Sequence, residues 1–140
     1  MSQSHPIVTK LSAAWNAHRA ADVVALYAPN AVMLHPMAPE PLKGREAIAA
    51  FEQPMFGAFS STEWTCTDSF ASGDRVAVEF VIHSTNSGPM QTPKGPIPAT
   101  NRRIRLHGTS LLRIAPDGSI AEERRFFDAL SFMAQLGLAG

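Results

Sequence analysis

The chain has 140 residues, 45% of them apolar, and its twelve basic and twelve acidic side chains leave no net charge. That length suits one domain with one core, expected to span 1–140, and the charge balance offers nothing to attract nucleic acid or an anionic membrane. No apolar run approaches the ~20 residues of a membrane helix, Met1 to Lys10 lacks a signal-peptide pattern, and Cys66 stands alone, so no intrachain disulfide or cysteine metal cluster is expected and a cytoplasmic location is the default.

Ile7, Val8, Leu11, Ala14, Trp15 and His18 recur at helical spacing and predict an amphipathic helix from about Pro6 to His18, with Ser4 as a candidate cap. Asp22 is expected to cap a shorter helix that runs to Tyr27, and Ala31 to His35 reads as a short strand. Gly44 opens a third helix in which Ile48, Phe51, Met55 and Phe59 would share a face. Pro54 removes a hydrogen bond there, at a cost of about 3 kcal/mol, which predicts a break near Gln53. Four strands follow, over Glu63–Ala71, Arg75–Thr85, Arg102–Ile114 and Ser119–Phe127. Between the second and third, residues 86–100 carry Pro89, Pro93, Pro96 and Pro98 and read as a long structureless connection, the kind that serves as a lid or an interaction surface. The last two strands are joined by Ala115-Pro116-Asp117-Gly118, a hairpin turn in which proline presets φ and glycine takes the left-handed corner. The final strand ends on Asp128, at the lip of a short helix that Gly137 can cap. Helices first and antiparallel strands afterwards indicate an α+β fold.

Several pieces agree in order with one known family. Leu26-Tyr27-Ala28-Pro29-Asn30-Ala31-Val32, Leu42-Lys43-Gly44-Arg45-Glu46-Ala47-Ile48, Pro98-Ala99-Thr100-Asn101-Arg102-Arg103, Asp117-Gly118-Ser119-Ile120, Asp128 and Gln135-Leu136-Gly137 together resemble the SnoaL-like branch of the NTF2-like superfamily, the polyketide and ester cyclases. The resemblance covers nearly the whole chain. It implies a cone-shaped, curved antiparallel sheet packed on the N-terminal helices, with a cavity inside the cone and a homodimer formed sheet against sheet. The fold hosts enzymes, binding modules and transport factors alike.

Asp128 has two readings that make opposite demands on its carboxyl group. As an N-cap it is stabilised in the ionised form; as the proton-moving aspartate that the resemblance implies, it needs an apolar cavity that raises its pKa. His35 and His83 resemble histidines of the family and could protonate a carbonyl or an enolate, since imidazole titrates near neutrality; singly, each is better explained by a bond to a backbone carbonyl. His35 with Asp128 is the first pairing to defend, and His107 is a weaker candidate. Period two places His83 and His107 on the more polar strand faces. Glu122-Glu123-Arg124-Arg125 departs from the family and reads as ion pairing on an exposed face. Arg102, Arg103 and Arg105 read as a solvated or dimer-facing stripe. Trp15, Met37, Phe51, Met55, Phe59, Trp64, Phe80 and Phe126 are candidates for an apolar lining, though most would serve equally as core. No H-x-H, H-E-x-x-H or phosphate-loop spacing appears, so neither a metal nor another cofactor is expected.

These residues lead to the expectation of a cofactor-independent enzyme acting next to the carbonyl of a small hydrophobic metabolite, by isomerisation, aldol-type cyclisation or dehydration. The rival is a non-catalytic module of the same fold that binds a small ligand or a protein partner. A third reading, an epoxide-opening hydrolase, needs a second carboxylate beside Asp128, for which Glu79 and Asp68 are the candidates.

Overall fold

The computed structural model describes residues 5–92 and 94–138, so Ser4 and Pro93 lie outside the described residues. Helix α1 covers Pro6–Asn16; His5 caps it, its ring nitrogen accepting from the Ile7 N–H at 3.1 Å. The helix stops before His18, which takes a left-handed φ of 55°. Asn16 then clasps the sheet: its amide donates to the Trp64 carbonyl at 2.9 Å and accepts from the Trp64 N–H at 2.8 Å. Helix α2 is Ala20–Val24, with Asp22 inside its first turn rather than capping it. It ends early because Tyr27 is fully buried and already extended, so strand β1 runs over Tyr27–Leu34 instead of starting at Ala31.

After the two-residue strand β2 (Leu42–Lys43), helix α3 runs unbroken through Arg45–Ala58 with Pro54 inside it. The expected break at Gln53 does not occur. Ile48, Glu52, Phe56 and Ala58 are buried along this helix, and that anchorage on both sides of Pro54 offsets the missing hydrogen bond. Strands β3 (Phe59–Ser72) and β4 (Arg75–Asn86) form a long hairpin. The connection after Asn86 is ordered, contrary to the expected structureless loop: it folds into a small hairpin, β5 (Met90–Thr92) on β6 (Gly95–Ile97). The reason is Asn86, fully buried, whose amide donates to the Ala58 and Gly88 carbonyls at 3.0 Å each and whose oxygen accepts from the Thr100 N–H and hydroxyl. Strands β7 (Arg103–Ile114) and β8 (Ile120–Phe127) are joined by the expected turn, with Gly118 at φ 90°. Helix α4 (Ala129–Gln135) closes on Gly137 at φ 77°, whose N–H bonds the Ala134 carbonyl while that of Leu138 bonds Met133.

The large sheet has the order β2-β1-β8-β7-β4-β3. Its pairs are antiparallel except one: β1 runs parallel to β8, with Tyr27 opposite Ile120 and Leu34 opposite Arg124. The α+β expectation holds, with this parallel junction as the departure from a purely antiparallel sheet. Helices α1 to α3 cover the inner face, and the main core lies between them and Val76, Val78, Phe80, Leu112, Ile114 and Ile120. A second cluster, built from Ala58, Phe59, Met90, Ile104, Phe132 and Leu136, brings α4 and the small hairpin against one end of the sheet.

Gly108 lets these layers approach. A β-carbon at this position would stand 2.6 Å from the Phe80 ring and 2.9 Å from the Phe126 carbonyl, and the latter is backbone that cannot yield cheaply. Gly108→Ala is therefore expected to destabilise the fold by about 1–3 kcal/mol, read as a lower urea midpoint with little change in slope.

Candidate active site

The inner face of the sheet and α3 enclose an apolar cavity whose walls include Trp15, Met55, Phe59, Phe80, Ile82 and Phe127, and whose polar groups are His18, His35, Glu52, Thr62, Ser84 and Arg125. Of the lining residues expected from sequence, Trp15, Met55, Phe59 and Phe80 are in this wall. Trp64 is buried behind it, stacked on Phe80 with ring centroids 5.9 Å apart. Phe51 stands outside the wall and braces His35 at 4.6 Å, and Met37 packs on the second core cluster. Phe126 points outward and is 53% exposed, while its neighbour Phe127 faces in. The cause is an irregularity in β8: Ile114 pairs with Ile120 but Arg113 pairs with Glu122, so Ala121 is an extra residue that reverses the alternation.

That same reversal turns Glu123 and Arg125 inward, against the expectation of an exposed charged run. They are only 3% and 8% exposed, and Glu52 of α3, at 2%, joins them. Arg125 Nε donates to Glu123 Oε2 at 2.9 Å and its Nη1 donates to Glu52 Oε1 at 3.1 Å. Glu123 also accepts from the Tyr27 hydroxyl and, at 2.6 Å, from the Ser110 hydroxyl. The guanidinium lies 5.6 Å from the centre of the Trp15 ring.

The two carboxyl groups are shifted in opposite directions by this arrangement. Burial pushes both upward, but for Glu123 the Arg125 charge and three donated hydrogen bonds win, and its pKa lies below the usual carboxylate range. Glu52 has one bonded oxygen and a negative neighbour in Glu123, so burial dominates and its pKa is raised despite Arg125. Tyr27 is driven well upward, by burial first and then by Glu123, and remains a phenol. Arg125 stays charged because the two carboxylates outweigh its own desolvation.

His35 stands where the sequence places it, at the end of β1, with its ring in the cavity wall. Its Nδ1 accepts from the Met37 N–H at 3.0 Å, so the neutral ring carries its proton on Nε2, a donor with no partner among the described residues. Burial, followed by the Arg125 charge, pushes its pKa down to about 3. His18, which sequence reading left in a helix, is turned into the wall by its left-handed backbone. Its Nε2 donates to the Phe56 carbonyl at 3.1 Å, and its Nδ1 is buried with no partner among the described residues.

The remaining candidates are elsewhere. Asp128 is exposed and caps α4, accepting from the Ser131 N–H at 2.9 Å; it is not in the cavity wall, and no bond joins it to His35. The geometry is that of the cap. His83 lies on the outer sheet face, because Ile82 and Ser84 on either side of it face in. His107 is on that outer face too, 3.8 Å from Glu79, and Glu79 therefore supplies no second carboxylate inside the cone. Glu52 had a signal in the sequence: it lies four residues from both Ile48 and Phe56, on the stripe that α3 buries.

The burial of His35 has a consequence for stability. Its folded-state pKa is depressed, so its contribution is full above the free value near 6.5 and is lost as pH falls towards 3. Glu52, raised, works in the opposite sense, which makes the difference between variants the informative quantity. Urea midpoints from pH 7 to pH 5 are expected to fall more steeply in the wild type than in His35→Gln.

The sequence profile of the SnoaL-like domain matches residues 8–123. No curated protein matches the chain. Among solved structures it is similar to a Catenulispora acidiphila protein of ketosteroid isomerase-like fold in complex with trimethylamine, with a TM-score of 0.78, 22% identity and coverage of 97% of this chain and 95% of that one. It is similar to a candidate SnoaL-like polyketide cyclase from a Jannaschia species at a TM-score of 0.77 and 22% identity, covering 100% and 99%. A third, AclR from Streptomyces galilaeus, described as a candidate hydroxylase, aligns at a TM-score of 0.77 and 19% identity over 94% and 92%. At such identities these likenesses establish the NTF2-like cone and nothing finer. With the profile spanning most of its length, the chain belongs to the SnoaL-like domain family.

Proposed function

We propose that the cavity moves a proton next to the carbonyl of a small apolar metabolite, leading to isomerisation, aldol-type cyclisation or dehydration without a cofactor. The supporting observation is Glu52, a buried carboxyl group in an apolar wall, raised in pKa, with one oxygen on Arg125 and the other without a partner among the described residues. A carboxyl raised above its usual range is a stronger base when ionised and can return the proton it takes. In this reading the base role first sought at Asp128 belongs to Glu52.

The ionised Glu52 takes the proton from the carbon beside the carbonyl, and the C–H electron pair moves to form the enolate. Negative charge gathers on the former carbonyl oxygen, where the Nε2–H of His35 donates to it. Neutral imidazole suits this task, since His35 holds no charge that would have to be desolvated. Returning the proton to a different carbon completes an isomerisation; in an aldol-type closure the enolate carbon attacks a second carbonyl, whose π bond breaks, and the resulting alkoxide takes the proton back from Glu52. Glu123, with both oxygens engaged, positions Arg125, and Arg125 holds Glu52. Family membership and the cyclase among the fold relatives agree with this class of chemistry.

The test is deuterium wash-in beside the carbonyl of octan-2-one, followed by NMR in D2O. The wild type is expected to accelerate exchange, Glu52→Gln to lose at least 100-fold while unfolding cooperatively as before, and Asp128→Asn to retain the rate. Exchange that survives Glu52→Gln, or binding of the ketone without any exchange, overturns the proposal; the second result would favour a ligand-binding module.

A further inference from the structure

The cavity carries a second polar spot, away from Glu52, that the chemistry above does not use. Strand β3 is irregular where it enters the wall: Ser60 pairs with Thr85 and Glu63 with His83, so Ser61 and Thr62 together face Ser84. Ser61 takes a φ of 51°, a left-handed conformation that costs a serine energy. From outside, Arg103 Nη1 pins the irregularity by donating to the Ser61 carbonyl at 3.2 Å and the Thr85 hydroxyl at 3.1 Å. The effect is a change of phase. Phe59, Thr62 and Trp64 all turn inward, which strict alternation forbids for an odd and an even position of one strand.

The hydroxyl inventory then decides what this spot offers. Ser84 has one proton, and it donates to the Ser60 carbonyl at 3.1 Å. The 2.7 Å bond between Thr62 and Ser84 carries the proton of Thr62 when Ser84 keeps its bond to Ser60, and that of Ser84 otherwise. In either arrangement Thr62, which lines the cavity, keeps a lone pair on Oγ1 that can accept. Ser84 is level with Ile104 on β7, whereas Ser110, which touches Glu123, lies six positions further along the same strand. Between the two lies apolar wall from Phe80, Ile82, Ile104 and Leu106.

We propose that Thr62 is a specificity-determining residue, and that the ligand of this cavity is a slender apolar molecule with a hydroxyl, a hydrogen-bond donor, at the end remote from its carbonyl. The assignment of the carbonyl to the Glu52 end rests on the reading of Glu52 above; the recognition of the hydroxyl by Thr62 stands without it. A strained bulge, a pinning arginine and a bonded pair of hydroxyls place an oxygen able to accept in an otherwise apolar stretch of wall. A ligand that leaves this acceptor unpaired loses affinity relative to one that satisfies it.

The experiment compares binding of octan-2-one and 8-hydroxyoctan-2-one by calorimetry, so that its readout is independent of turnover. The wild type is expected to bind the hydroxylated ketone about tenfold more tightly. Thr62→Val should bring the ratio near one without weakening octan-2-one, Thr62→Ser should keep the preference, and Glu52→Gln should keep it even where exchange is lost. Equal affinities in the wild type, no binding of either ketone, or a preference unchanged in a cooperatively folded Thr62→Val each overturn the proposal. Loss of exchange in Glu52→Gln with no Thr62-dependent preference would leave the proton-transfer reading standing and this one refuted.

Discussion

A buried guanidinium governs this structure. Arginine cannot shed its charge by losing a proton, so placing Arg125 inside the cone obliges the fold to supply compensating partners from every side. Glu123 comes from the same strand, Glu52 from α3, and the ring of Trp15 from α1. Tyr27 of β1 and Ser110 of β7 then hold Glu123 in place. The helical layer and three neighbouring strands are thus tied at one point. Two carboxyl groups share one cation, and the asymmetry of their hydrogen bonds, several on Glu123 and one on Glu52, leaves Glu52 as the one whose pKa is raised.

This arrangement explains why the site was harder to read than the fold. Residues whose local chemistry is unambiguous behaved as the sequence implied: the Pro116-Asp117-Gly118 turn, His83 and His107 on the more polar strand faces, Gly137 closing the last helix, and the family motifs in their order. These signals are short-range, and nothing distant opposes them. The charged run at Glu122 to Arg125 misleads because a sequence shows charge but not its partners. Arg125 is tolerable inside because Glu123 turns in beside it and Glu52 lies across the cone, seventy-three positions earlier.

Phase is the second hidden variable. One extra residue at Ala121 decides that Phe127 rather than Phe126 reaches the cavity, and a left-handed Ser61 decides that Thr62 does. Neither position carries the glycine that commonly marks a bulge, so no local cue announces the reversal. Pro54 shows the converse error: a strong local signal is overridden because Ile48 and Phe56 are buried on either side of it. Asp128 illustrates a third case, in which one residue type serves two purposes and only its surroundings choose between them.

The parallel junction of β1 with β8 bears on how the chain acquires this shape. The meander of β3, β4, β7 and β8 can form from strands joined by turns or one loop, whereas β1 must wait for a partner some ninety residues later in the chain. Non-local pairing of this kind is slow, because a large loop must close before any contact rewards it. Until the meander itself has formed, the apolar faces of α1 and α2 have no sheet to rest on. During synthesis on the ribosome, Ile7, Leu11, Val23 and Tyr27 would emerge well ahead of Ile120 and Glu123, and shielding them in that interval falls to chaperones or to transient collapse on α3.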